Sequence, residues 1–326
     1  GTTGHETQPE PERGGGGGGG EEEEEEALVE LCGALGENTS LEELSISGFT
    51  LARRATAGVV AALGEALWKN NSLQALHLSW PAAFPGAHAL AEGLRGNSSL
   101  RQLRVTGANL GQGGVAALGK ALWTQASLRM LHGLFDGRLG SGPTIKLGEA
   151  LRSKAALGAL ELSRCRIGDE GAIALAQALR HNTSLHTLHL DRNGIGVAGG
   201  VALGRALEVN ASLVELDLEL NSIGSGGAAA LAQALRVNSS LRVLGLRRNR
   251  IDSSGAAALA QALQVNASLQ QLDLDSCGIG SKGAVALAQA LRINGSLQAL
   301  RIYESPMRFE VVGALARADG RVMWTA

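Results

Sequence analysis

Histidine, carboxylate and guanidinium groups recur in this chain at fixed places of a repeated phrase. Ser45, His77, Arg104, His132, Glu161, His189, Asp217, Gly245, Asp273 and Arg301 share one place. Two residues further on stand Ser47, Ser79, Thr106, Leu134, Ser163, Asp191, Glu219, Arg247, Asp275 and Tyr303, and one beyond those come Trp80, Phe135, Arg164, Arg192, Leu220 and Arg248. Histidines at a common register raise the question of a metal. His77, His132 and His189 lie on alternate repeats, so in a sheet of adjacent strands neighbours are about 9.6 Å apart. Zinc takes each ligand nitrogen at about 2.0–2.1 Å, so one ion does not bridge them. Solvated histidines, with no metal and no cofactor, are the expectation. No Ser–His–Asp or Cys–His signature is present, and the run Gly14–Gly20 lacks the lysine and flanking strand of a phosphate-binding loop.

Two patches emerge from these rows. The first combines Asp191, Asp217, Glu219, Asp273 and Asp275 with Arg192, Arg247 and Arg248. It reads either as a self-satisfied ladder of cross-strand pairs or as a polar surface for a charged partner. Exposed ion pairs contribute only about 0–1 kcal/mol each, so stability alone does not demand this density of charge. The second patch is Trp80, Phe84, Leu134, Phe135, His77, His132 and Arg104. Aromatic residues make up 3% of the chain, and Trp, Tyr and Arg are common interface anchors. The same repeats have irregular loops containing Pro81, Pro85 and Pro143. This patch is either a specialised docking edge or degenerate repeats refilling their own core.

The element that positions these residues is the phrase L-x-x-L-x-L. Its leading leucines are Leu157, Leu185, Leu213, Leu241, Leu269 and Leu297, each 28 residues after the last. Looser copies begin at Leu41, Leu73, Leu100 and Leu128. A period in this range marks a solenoid. Within one copy, Leu188 and Leu190 alternate as in a strand with one buried face, and Ala202, Leu203, Ala206 and Leu207 share a helix face. Each unit therefore reads as strand, loop, helix. Asp169, Ser225, Ser253 and Ser281 stand where helix N-caps are expected.

The pattern L-x-x-L-x-L-x-x-(N/C)-x-(I/L) with its 28-residue step resembles the ribonuclease-inhibitor-like class of leucine-rich repeats over roughly residues 41–305. That resemblance implies an α/β leucine-rich-repeat solenoid of about ten 28-residue repeats, a horseshoe with parallel strands on the concave face and helices on the convex face. The physics agrees: strands stack about 4.8 Å apart and helices about 8–10 Å, so the helix side forms the longer arc. The repeat is similar to the arms of NOD-like receptors, which implies a sensing or autoinhibitory role, and to Ran GTPase-activating proteins. For the latter, Arg53 and Arg54 follow an early strand, but the acidic run precedes the repeats instead of following them.

Outside the repeats, residues 1–26 read as a disordered Gly/Glu-rich tail, although Glu21–Glu26 also suit a helix start. The repeat domain spans 27–326, with a partial first repeat at 27–40, repeats over 41–305 and a C-terminal cap over 306–326 carrying Phe309, Val312, Leu315 and Trp324. The tail has nine Glu and one Arg, leaving 28 basic and 22 acidic residues elsewhere, a net of +6. That excess falls short of the stripe nucleic-acid binding requires. Cys32, Cys165 and Cys277 form no disulfide framework. Cys165 and Cys277 instead occupy the position of Asn193, Asn221 and Asn249 and read as small buried thiols. Eight Asn-x-Ser sequons, at Asn38, Asn70, Asn97, Asn182, Asn210, Asn238, Asn266 and Asn294, sit at helix-to-strand corners. They read as left-handed helix caps ahead of glycosylation sites. With no signal peptide or spanning segment in view, the expectation is a cytoplasmic, non-catalytic scaffold. It binds a protein of unknown identity and no nucleic acid, membrane or small-molecule substrate.

Overall fold

Alternation of leucine with polar residues makes each phrase a short strand with one apolar face, and the small-residue segment that follows returns the chain as a helix. The computed structural model describes residues 19–47, 57–79, 86–106, 113–114, 117–118, 121, 127–134, 139–152, 156–302 and 322–323. Along the chain the described elements are α1 (Gly19–Glu37), β1 (Glu43–Ser47), α2 (Ala57–Lys69), β2 (Ala75–Ser79), α3 (Ala87–Gly96), β3 (Gln102–Thr106) and β4 (Met130–Leu134). They continue as α4 (Ser141–Leu151), β5 (Ala159–Glu161), α5 (Gly168–Leu179), β6 (Thr187–His189), α6 (Val197–Leu207), β7 (Glu215–Asp217) and α7 (Gly224–Leu235). The last are β8 (Val243–Gly245), α8 (Ser253–Leu263), β9 (Gln271–Asp273), α9 (Gly280–Leu291), β10 (Ala299–Arg301) and β11 (Val322–Met323). Helix α1 takes in the whole glutamate run. The proposed cap residues Phe309, Val312, Leu315 and Trp324 lie outside the described residues, as does most of the glycine-rich tail.

The strands form one parallel sheet in sequence order, from β1 to β11. This is an α/β solenoid. Its core is the layer between sheet and helices. In one repeat Leu185, Leu188, Leu190, Ile195, Leu203, Ala206 and Leu207 are all buried, while Ala202 is partly exposed. Burying each large aliphatic side chain contributes about 1.5–3 kcal/mol. Small residues allow the helices to approach: a Cβ on Gly93 of α3 would sit 2.1 Å from the Gly64 carbonyl oxygen of α2.

Polar ladders join the repeats along two lines. At the helix-to-strand corners Asn70, Asn97, Asn182, Asn210, Asn238, Asn266 and Asn294 are buried. The Asn238 amide donates to the carbonyls of Leu207 and Asn210, at 2.8 Å each, and its Oδ1 accepts from the backbone N–H of Ser240 and Leu241 at 3.0 and 2.8 Å. The same pattern holds Asn210, Asn266 and Asn294. The expected left-handed cap is therefore corrected: Asn97, with φ −76° and ψ 132°, is extended, and the corner asparagines act as cross-repeat clamps. At Asn70, Asn97, Asn210, Asn238, Asn266 and Asn294 the buried, doubly donating amides leave no room for a glycan in the folded chain, whereas Asn38 is exposed.

The second ladder runs under the turns after the strands. Asn193 Oδ1 accepts from Cys165 N at 2.8 Å, and Asn221 Oδ1 from Asn193 N and Ile195 N at 2.9 and 3.0 Å. The amides of Asn193, Asn221 and Asn249 donate to Leu162, Leu190 and Leu218 carbonyls. Cys277 Sγ makes the equivalent donation to Leu246 O at 3.0 Å. Burial pushes its thiol up to about 11, so it stays protonated, as a donor must.

The expected N-caps are corrected as well. Asp169 lies inside α5, and its Oδ1 accepts from Gly196 N and Gly199 N at 2.7 and 2.8 Å, capping α6 of the next repeat. Helix α8 is capped by Asp252, one residue before Ser253. Ser225 Oγ accepts from Asp252 N, and Ser253 Oγ donates to Ile279 O at 2.6 Å; both tie neighbouring repeats. Ser281 stands in the first turn of α9. This column of residues links repeat to repeat in both senses: Asp169 and Ser225 accept N–H groups near the start of the next helix, which a helix leaves unpaired, and Ser253 donates to the Ile279 carbonyl.

The corner ladder makes a direct prediction. Asn238→Ala removes two donors and the acceptor of two backbone N–H groups in a buried site, and costs about 3 kcal/mol. Urea denaturation compared with wild type checks it. A loss below about 1 kcal/mol would mean that water or backbone shifts replace the clamp.

Candidate binding face

The strand register aligns the charged row residue by residue. Ser45 pairs with His77, His77 with Arg104, Arg104 with His132, His132 with Glu161, Glu161 with His189 and His189 with Asp217. Asp217 then pairs with Gly245, Gly245 with Asp273 and Asp273 with Arg301. Strand side chains alternate faces. The interleaved leucines point into the core, and this row lies on the opposite, open face of the sheet. Strands β5 to β10 are only three residues long, so Asp191, Glu219, Arg247 and Asp275 stand just past them, at the start of the turns.

Several of these groups are already paired. His132 Nδ1 meets the Glu161 carboxylate, and His189 Nε2 lies 2.9 Å from Glu215 Oε1. His77 Nδ1 is 3.8 Å from Glu43. Arg247 Nη1 donates to Glu219 Oε1 at 3.2 Å, and Arg301 approaches Asp273 Oδ2 at 3.7 Å. Ser163 Oγ donates to Asp191. Sequence reasoning missed Glu43 and Glu215. The signal was present: they lie two residues before Ser45 and Asp217, on the same face. Among the described residues no group of three or more His, Cys, Asp or Glu is arranged to hold a metal ion.

One stretch of the face is not self-satisfied. Gly245 leaves a gap in the row, a notch of about 240 Å³ walled by Glu215, Asp217, Glu219, Arg247, Asp273 and Arg301. A Cβ at Gly245 would come within 2.5 Å of Asp217 Oδ1, so glycine here gives the Asp217 carboxylate its place. Burial, partly offset by the N–H of Glu219 and reinforced by Asp191, pushes the Asp217 carboxyl up to about 6. Asp217 takes part in no ion pair among the described residues. Beside it, Arg247 Nε is buried without a hydrogen-bond partner.

The aromatic patch is only partly in view. Trp80, Phe84, Phe135 and Tyr303 lie outside the described residues. His77, Arg104 and His132 stand side by side on β2, β3 and β4, with Arg104 exposed. Trp68 on the helix side is 59% exposed. Its ring also covers Gly96 at the end of α3, where a Cβ would lie 2.2 Å from it. Trp123 is outside the described residues.

The family model described as Leucine Rich repeat matches residues 157–176, 181–204, 209–232, 237–260 and 265–288. These are leucine-rich repeats. The leucine-rich-repeat solenoid is also similar to solved structures. The Rad7 and Elc1 complex in yeast has 15% identity and a TM-score of 0.48, over 83% of this chain and 72% of that one. The Caenorhabditis elegans tropomodulin C-terminal domain has 17% identity and a TM-score of 0.38, over 52% and 87%. Leiomodin-1 actin-binding site 2 has 20% identity and a TM-score of 0.37, over 54% and 88%. Similarity at these levels carries no argument about partner. No curated protein matches the sequence.

Asp217 makes the face pH-sensitive in a defined direction. Its folded value near 6 lies above the ordinary 3.8, so its protonated form favours the fold. That contribution is complete below the ordinary value and is lost as pH rises through about 6. Asp217→Asn keeps the acceptor for the Glu219 N–H and removes the ionisation. Its stability gain over wild type grows between about pH 4 and pH 8, reaching about 1 kcal/mol after allowance for solvent screening. Urea midpoints at both pH values check this, and an equal difference at both would refute it.

Proposed function

We propose that this leucine-rich-repeat protein is a non-catalytic recognition scaffold that binds a protein partner on the open sheet face and its N-terminal rim. The observation that carries this reading is Asp217. A carboxyl that folding disfavours in its charged form, in a notch where the other charged residues take part in ion pairs and it takes part in none among the described residues, weakens the fold at neutral pH. It is best explained by what it offers a partner. The proposed contact set joins Asp191, Asp217, Glu219, Arg247 and Asp275 at the notch to His77, Arg104 and His132 on the early strands. Trp80, Phe135 and Tyr303 belong to the same proposal. A broad sheet face suits a macromolecule better than a small ligand, whose pockets are typically about 300–1,000 Å³ and deeply enclosed.

The role of a NOD-like receptor's sensing or autoinhibitory arm is part of this reading and is supported by the repeat resemblance. Arg53 and Arg54, on which the resemblance to Ran-type activators leaned, lie outside the described residues. A cytoplasmic setting is supported by three buried free cysteines and by sequon amides that the fold itself uses. No described helix is long and apolar enough to cross a membrane.

The test compares affinity capture by wild type with capture by the double variant Glu219→Gln, Asp273→Asn, after circular dichroism shows that both fold. At least one protein retained by wild type is expected to be lost by the variant, and the contact is then confirmed with the purified pair. Identical retained sets, with Trp80→Ala/Phe135→Ala also unchanged, would sink the proposal.

A further inference from the structure

The turns that follow the strands enter the left-handed region at the same place in five successive repeats, and arginine fills most of those turns. Arg164, Arg192 and Arg248 have φ of 56°, 56° and 55°, with Leu220 and Ser276 at the equivalent positions. Two residues on, Arg166 and Arg250 have φ of 51° and 54°, where the equivalent Gly194 and Gly278 are glycine. A side chain in this region is disfavoured because Cβ crowds the following carbonyl. Leu220 and Ser276 share the conformation, so the turn imposes it; what sets the arginines apart is that a charged side chain is kept where glycine would relieve the strain. All five arginines are exposed, and none is in an ion pair among the described residues. Their turns are anchored: Arg164 N donates to Asp191 O at 3.0 Å, Arg192 N to Glu219 O at 2.9 Å and Arg248 N to Asp275 O at 2.8 Å. Three strand spacings place Arg248 about 14 Å from Arg164.

We propose that this arginine rim docks an acidic segment of the protein partner, laid across the repeats with carboxylates on Arg164, Arg192 and Arg248. The proposal rests on the scaffold reading and names the partner's chemistry. Guanidinium groups take carboxylates through paired, charge-assisted hydrogen bonds. A nucleic acid fits less well. Its phosphates form a continuous line of charge, and three of the five residues next to the rim are acidic, Asp191, Glu219 and Asp275, with Ser163 and Arg247 as the other two. A peptide can set its carboxylates over the arginines and keep neutral residues over the acids.

The variant Arg164→Gly/Arg192→Gly/Arg248→Gly removes the side chains and relieves the left-handed strain, so its melting temperature should be no lower than that of wild type. The probe is a labelled peptide of about eight residues alternating Glu and Ser, which extended spans about 26 Å. Fluorescence anisotropy with the full chain should show salt-sensitive binding that weakens by about tenfold or more in the variant. A Lys/Ser peptide should show no such loss. Absent or unchanged binding of the Glu/Ser peptide would overturn the inference. So would tighter binding of a single-stranded oligonucleotide that the variant loses. Partner capture lost in Glu219→Gln/Asp273→Asn but kept in the arginine variant would reject the rim alone, whereas capture unaffected by either and by Trp80→Ala/Phe135→Ala would reject the scaffold.

Discussion

Buried asparagine amides are the interaction on which the rest of this solenoid depends. A repeat of strand, loop and helix leaves backbone N–H and C=O groups unpaired wherever the chain turns, and those corners are enclosed by the next repeat. Asn210, Asn238, Asn266 and Asn294 each donate to two carbonyls on the preceding repeat and accept from their own following strand. Only a side chain with donor and acceptor at opposite corners does both. Leucine burial supplies the larger share of the driving force, but it is non-directional and does not set how one repeat sits on another. The amide ladders set that register, and the aligned strands inherit it.

Curvature and small residues are linked through the same register. Helices packed on the outer arc approach until backbone meets backbone, as at Gly93 and Gly64. Cys277 shows how far the inner ladder tolerates change: a thiol replaces the amide's donation but offers the neighbouring repeat a poorer acceptor. Capping follows the same inter-repeat logic, with Asp169 on one helix closing the start of the next.

Because the repeats are held so regularly, the open face becomes a readable array of charge. Pairs such as His189–Glu215 and Arg247–Glu219 settle part of it. Asp217 takes part in no ion pair among the described residues and borders the gap at Gly245. The floor is acidic, and the turns above it carry arginines in a conformation that costs energy. Mostly acidic residues at the strand ends and mostly arginines one residue further on thus lie side by side along the array.

The leucine period was legible in the sequence and determined the fold class, because a 28-residue step admits few ways to bury one apolar face per unit. The alternation of strand residues likewise determined which side chains share the open face, from Ser45 to Arg301. What those side chains do to one another was decided only by the tertiary structure. The corner asparagines looked like left-handed caps, since a local sequence shows a turn residue but not the carbonyls a neighbouring repeat brings within 3 Å. Asp169 looked like its own helix's cap for the same reason. Glu43 and Glu215 went unnoticed until strand pairing set them beside His77 and His189. The left-handed arginines of the rim could not be read at all, because backbone dihedrals there follow from the ladder beneath the turn and not from the residue that occupies it.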